Sequence, residues 1–357
     1  VKTVYGSIDV GNTPGVQINL SVVRLDSVQD ADINATFAAT YGTYALIASF
    51  ATDSLHVIDC SDPSNLSIAG SIEHDSTNLN QIGQVVTQGT VAIATTFAGA
   101  VGGVTSIDLS DPTNPTVISH FTHPTNYAGA SGICLIGTDL ALVACQSSDS
   151  LLVVDFSNPA AMTEVDWLQN AVTLSNAFRV AANTTATNAW FVNRTTGGTR
   201  INRINISNPA AIAVGGGSIT TTLDTAAFML FDDRPEFAAV PPLWVPSITN
   251  ELVAWASGTN TPTVSDQIGS STQLSRVEGL ALVGPYLICP DENNNCVTIV
   301  DAHDPYFDTV GLSIATSISE SPYFDSPAAV CAIDGDTAII GAGDYISSIR
   351  LSGGLIT

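Results

Sequence analysis

The chain has 357 residues, 45% of them hydrophobic and only 12% charged, with nine basic residues against 33 acidic ones and a formal charge of −24. So acidic a surface repels phosphate backbones and anionic headgroups, which argues against nucleic-acid binding and electrostatic membrane docking. The sequence has no run of 18 or more apolar residues and hence no candidate membrane-spanning helix, while its apolar content is ample for a large β fold.

The N-terminal segment, residues 1–30, contains one β-rich run, VQINLSVVRL (Val16–Leu25). The chain starts at Val1 without a basic-then-apolar leader, as either trimming or removal of a secretory leader would leave it. Six Asn-x-Ser/Thr sequons, at Asn19, Asn34, Asn65, Asn183, Asn193 and Asn205, favour the second and make the expected setting extracellular, with the protein a glycoprotein.

From His56 onward one pattern recurs. HVIDCSDPSNLSIAGSI is followed by TSIDLSDPTNPTVISHF from Thr105, LVVDFSNPAAMTEVDWL from Leu152, NRINISNPAAIAVGGGS from Asn202 and TIVDAHDPYFDTVGLSI from Thr298. Its key acid or amide falls at Asp59, Asp108, Asp155, Asn205 and Asp301, so the gaps are 49, 47, 50 and 96 residues. The last gap has room for two units, the missing copy lying near LVAWASGTNTPTV from Leu252, and a final unit ends in ISSIRLSGG from Ile346. Two short apolar runs precede each motif and another follows it, with Gly, Asp or Ser at the joints. Four strands per repeat over residues 31–357 predict a single all-β domain, a β-propeller of seven four-stranded blades. The N-terminal strand is expected to complete the last blade, which removes a free sheet edge. SIDVGNTPGVQ from Ser7 itself resembles the motif, so the N-terminus either adds two strands or carries a decayed copy. The recurring carboxylate, once per repeat and next to Asp/Asn-Pro, is a turn device rather than a catalytic group.

The repeats resemble the LVIVD repeat, an apolar strand ending in Val/Ile-Asp, then x-Ser-Asp-Pro, Asn-Pro and another apolar strand. SIDLSDPTNPTVISHF is nearly a full match, and Asp62-Pro63, Asn158-Pro159 and Asn208-Pro209 carry its core. The resemblance implies a propeller of the kind common on cell surfaces, and it supplies no substrate. The fifth unit, about residues 226 to 275, departs from the pattern: FDDRPEFAAVPPLWVPS makes its blade either irregular or decorated, and Asp232, Asp233, Arg234, Glu236 and Trp244 are its candidate contact patch.

Candidate chemistry is sparse. His74 and His123 occupy equivalent connectors, with Asp75 beside the first and Glu73 and His120 near; two imidazoles and a carboxylate suit a transition metal. Asp291, Asn293 and Asn295 have the alternating spacing that opens some calcium loops, but the glycine and bidentate glutamate are missing, so a solvated turn is the expectation and no cofactor is required. Of six cysteines, Cys289 and Cys296 flank a turn and form the candidate disulfide, whereas Cys134 and Cys331 sit in equivalent places as buried thiols. Two readings follow. One is a non-enzymatic extracellular propeller, a structural or protein- or glycan-binding module of a surface assembly, appendage, adhesin or virion. The other is a lactonase-like hydrolase using a metal near His74 and His123 on the face where blades connect.

Overall fold

The structure, a computed structural model, describes residues 3–9, 17–98, 102–122, 127–182, 187–195, 198–220, 226–232, 234–235, 242–247, 251–256, 264–269, 273–302 and 313–356. Strands dominate these residues, and they form seven antiparallel sheets. The first complete sheet runs in chain order from its inner to its outer strand: Ala35–Tyr41, Tyr44–Ser49, Ser54–Asp59 and Ser67–Ile72. Its middle strands, YALIAS and SLHVID, are buried almost continuously because adjoining sheets cover both faces, while its outer strand is only half-buried. The same order repeats in the next five sheets.

Inner strands Ala35–Tyr41, Ile82–Gln88, Ala130–Leu135, Ala177–Ala182, Leu230–Phe231, Ala281–Val283 and Pro327–Ala332 together line one central channel of about 560 Å³. Apolar residues from neighbouring sheets then fuse into shared cores. Leu46, Leu55 and Val57 of the first sheet pack with Leu79, Ile82, Ala92 and Ile107 of the second, and comparable clusters fill the other junctions. Burying such a side chain contributes about 1.5–3 kcal/mol. This is a β-propeller of seven blades.

The last blade joins the two ends of the chain. Gln17–Gln29 pairs antiparallel with Tyr345–Ile356, which continues to Thr337–Ala342 and Pro327–Ala332. Thr3–Asp9 adds a fifth strand outside Gln17–Gln29, so the N-terminus contributes two strands. Leu20 and Val22 are fully buried in the core between the sixth and seventh blades. Arg24 pairs with Glu320 at 3.0 Å and lies 3.7 Å above the Tyr323 ring. The fifth blade is irregular: among the described residues its inner strand is Leu230–Phe231, and Glu251–Ala256 fills the place of the motif-bearing strand.

Three expectations need correction. Cys289 and Cys296 are free thiols: Cys289 pairs across the hairpin with Thr298, and Cys296 pairs with Asp291, so the two are offset diagonally. Asp232 and Trp244 are fully buried rather than exposed for contact. The Asp232 carboxylate accepts hydrogen bonds from Arg234 Nε at 2.8 Å, Arg234 Nη2 at 2.6 Å and Trp244 Nε1 at 3.2 Å. Arg234 also donates to the Ala302 carbonyl of the sixth blade, so this pair ties two blades together. Asp233 and Glu236 lie outside the described residues. Lastly, Asn193 is buried and its amide donates to the Thr173 and Ser175 carbonyls, which leaves no room for a glycan in the folded chain.

Candidate functional site at the channel mouth

The recurring acids are turn devices, as their spacing implied. Asp59, Asp108, Asp155 and Asn205 each accept a hydrogen bond from the backbone N–H two residues on, at 2.8–2.9 Å. Asp62, Asp111, Asn158 and Asn208 do the same three residues further along, so each corner is a double Asx turn. The Ser110 N–H holds the Asp108 carboxyl below its usual range, and the Ser64 hydroxyl and N–H do so for Asp62. Asp301 ends the corresponding strand of the sixth blade, and the residues that follow its corner lie outside the described residues.

The corners also reach into the preceding blade. The Pro159 carbonyl accepts hydrogen bonds from Ser106 and Ser119 at 2.7 and 2.6 Å, and the Pro63 carbonyl accepts one from Ser348. Asp26 and Asp166, on outer strands, accept the Leu66 and Ile212 N–H groups of the next blade, both at 2.7 Å. A second clasp works at the opposite rim. Asp53, Asp149 and Asn295 sit in the left-handed region, and their side chains accept the N–H of Gln81, Asn176 and Ser326 in the following blade, themselves left-handed. The motif residues are therefore joints between blades.

A different set of residues faces the channel opening. The inner strands begin on the face where each blade receives the chain from its predecessor, and several carry a bulge there: between Ala35 and Phe37, Ile82 and Val85, Ala130 and Gly132, Ala177 and Arg179, and Pro327 and Ala329. A bulge re-aims its side chains. Residues from these bulges and from the turns after the second strands enclose a cavity of about 400 Å³. Phe37 and Phe50 of the first blade, Phe97 of the second and Phe178 of the fourth line it, all half-buried. The Phe50 and Phe97 rings are 6.1 Å apart at 47°. Arg179 lies 3.9 Å above Phe178 and donates to the Ser131 carbonyl. Arg276 pairs with Glu278 at 2.6 Å and Glu292 at 2.9 Å. Hydrogen bonds from Arg276 to Glu278 keep the guanidinium charged, while burial raises the Glu292 carboxyl.

These mouth residues escaped sequence inspection because no short window contains them. Aligning the repeats on their second strands would have exposed them: Phe50, Phe97, Gln146 and Glu292 each directly follow that strand. The first four blades agree at their corners and differ at the mouth.

The histidine site is only partly assembled. His74 Nε2 faces Asp32 at 3.3 Å, while Asp75 caps its own turn by accepting from the Thr77 and Asn78 N–H groups. His123 lies outside the described residues. His120 meets the Thr105 hydroxyl at 2.8 Å. Among the described residues no three His, Cys, Asp or Glu side chains are grouped to hold a metal. Asp291 is fully buried and accepts the N–H groups of Ser275, Arg276, Asn293 and Asn294, Asn293 donates to the Ser275 hydroxyl, and Asn295 serves the clasp described above. Cys134 and Cys331 do occupy equivalent inner-strand places, their thiols pushed up to about 12 by burial. Asn34, Asn65 and Asn205 are exposed, Asn19 lies within the closing strand Gln17–Gln29, and Asn183 is outside the described residues.

Fold and corners together define a β-propeller built from repeated, interlocked blades. The chain carries LVIVD repeats, with the model of that family matching residues 35–73 and 138–168. No curated protein matches its sequence. Solved structures match its fold: hydrazine synthase of Kuenenia stuttgartiensis has a TM-score of 0.68 at 13% identity, over 90% of this chain and 97% of that one. The β-propeller domain of Cps50 from Myceliophteria thermophila has 0.68 at 11% identity, over 93% and 100%. A protein of unknown function from Desulfotomaculum acetoxidans has 0.62 at 13% identity, over 87% and 98%. At such identities the likeness is one of fold alone.

Proposed function

We propose that the protein is a non-enzymatic, extracellular interaction module that engages a partner through the channel mouth. The observation that carries this reading is the contrast among blades. Corners repeat in the first four blades because each needs the same joint, whereas the positions after the second strands hold Phe, Gln or Glu, and four phenylalanines stay half-buried beside a cavity. Phenyl rings left in contact with water around a concavity are a signature of binding. Exposed sequons at Asn34, Asn65 and Asn205 support an extracellular setting.

Native mass spectrometry of protein purified from its source tests this. The expected result is glycan mass on at least one of Asn34, Asn65 and Asn205, together with a stable partner or higher assembly. An unglycosylated monomer that carries stoichiometric metal and hydrolyses a lactone, with activity lost to chelator, would contradict it and favour the hydrolase.

A further inference from the structure

Building on the reading of the mouth as a contact site, we infer that its ligand is a neutral saccharide chain, with sugar rings laid against Phe50 and Phe97. Size comes first. A cavity of about 400 Å³ falls in the ~300–1,000 Å³ range of small-ligand sites, whereas a stable protein partner needs about 800 Å² of surface on each side. The concavity suits a chain of small rings better than a protein face.

Charge decides the class. Arg179 and Arg276 at the opening are matched by Glu278 and Glu292, and Arg276 is already paired with both carboxylates. An anionic ligand would meet a balanced mouth within the field of a chain of charge −24 and be repelled. A cationic ligand would meet two guanidinium groups, one of them stacked on Phe178 in the place a cation would take over that ring. A neutral ligand incurs neither cost.

The remaining features fit the two sides of a sugar. A pyranose ring has C–H faces, which pack on the electron-rich faces of aromatic rings, and a rim of hydroxyls that both donate and accept. The Phe50 and Phe97 rings both line the cavity with centroids 6.1 Å apart, a spacing close to that of consecutive rings of one chain. The Gln146 amide, the Glu278 carboxylate and the Arg276 guanidinium line the same cavity. These groups supply both hydrogen-bonding roles. The Arg276–Glu278 pair is held in place before any ligand arrives, so little is lost in ordering it.

Calorimetric titration with maltohexaose, cellohexaose, mannohexaose and hexa-N-acetylchitohexaose, alongside a hyaluronan hexasaccharide and a chitosan hexamer, tests the inference. At least one neutral chain is expected to bind, with an affinity that barely changes between low and high salt. Phe50→Ala/Phe97→Ala is expected to weaken it by about tenfold or more, with a cooperative melting transition retained. Glu278→Gln gives a second reading that leaves both phenylalanines intact, and it should weaken the same sugar. Binding confined to the charged chains, binding indifferent to these variants, or no binding at all would overturn the inference. The interaction module itself falls only if the aromatic double variant also leaves attachment to the protein's own source surface unchanged.

Discussion

At the scale of single residues, the fold depends on close contacts that tolerate no extra atoms. Gly70, on the outer strand of the first blade, faces the second blade's corner: a Cβ there would meet the Pro112 carbonyl oxygen at 2.7 Å and Pro115 Cδ and Thr113 C at 2.8 Å. Gly70→Ala should therefore destabilise the protein by about 1–3 kcal/mol, read from urea unfolding; an unchanged midpoint would refute the close packing of corner on blade. His56 is a second such point. It is fully buried in Ser54–Asp59, and neither ring nitrogen has a hydrogen-bond partner. Burial lowers its pKa below the ordinary 6.5, and Asp30, Glu73 and Asp32 oppose that only in part, while His74 adds to it. The folded chain thus keeps His56 neutral while the unfolded chain takes up a proton. Its contribution is present in full above about pH 6.5 and is lost as the pH falls from there toward the depressed folded value. His120 is shifted in the same direction, also by burial. The second and sixth blades have Thr105 and Thr298 at the equivalent place, each donating to a connector carbonyl. His56→Thr is therefore expected to flatten the fall in melting temperature between pH 7 and pH 5, and parallel curves for the two proteins would contradict this account.

At the scale of elements, the joints between blades show what was legible in the sequence. The corners were, because Asp-x-Ser and Asp-Pro spacings encode a local hydrogen bond that needs no distant partner, as Asp108 with Ser110 demonstrates. The clasp from Asp53 to Gln81 was not, since its two halves lie 28 residues apart and only the packing of one blade on the next brings them together. The charged run around Asp232 was misread for a related reason. Adjacent charges in a proline-rich stretch resemble a solvated patch, yet Asp232 and Arg234 neutralise each other beneath Trp244. Removing one member leaves a buried charge alone, so Arg234→Met should cost about 3–5 kcal/mol, with part recovered in Asp232→Asn/Arg234→Met. Equal losses in the single and double variants would show that the pair is not the unit that matters. Cysteine spacing misled similarly, because flanking a turn does not place two thiols directly opposite in the ladder.

At the scale of the whole molecule, the repeat period and strand count were readable, whereas the binding surface was not. A ring gathers to one opening residues that the chain holds a blade apart, such as Phe50, Phe97 and Gln146. A chain beginning at residue 31 loses Leu20 and Val22 from the last core and frees the edge of Tyr345–Ile356. It is expected to elute as aggregate, by size-exclusion chromatography, rather than as a folded monomer; a monomer with the melting temperature of the full chain would show that the terminal strands do not close the ring. The central claim is that blades share their corners for folding and diverge at the mouth for binding. An equilibrium isotherm of fluorescently labelled protein on the outer surface of its source, cell or particle, tests that most directly. The account predicts saturable attachment that Phe50→Ala/Phe97→Ala weakens by about tenfold or more while the protein still melts in one cooperative transition. Attachment equally strong in that variant, or no saturable attachment by the unaltered protein, would contradict it.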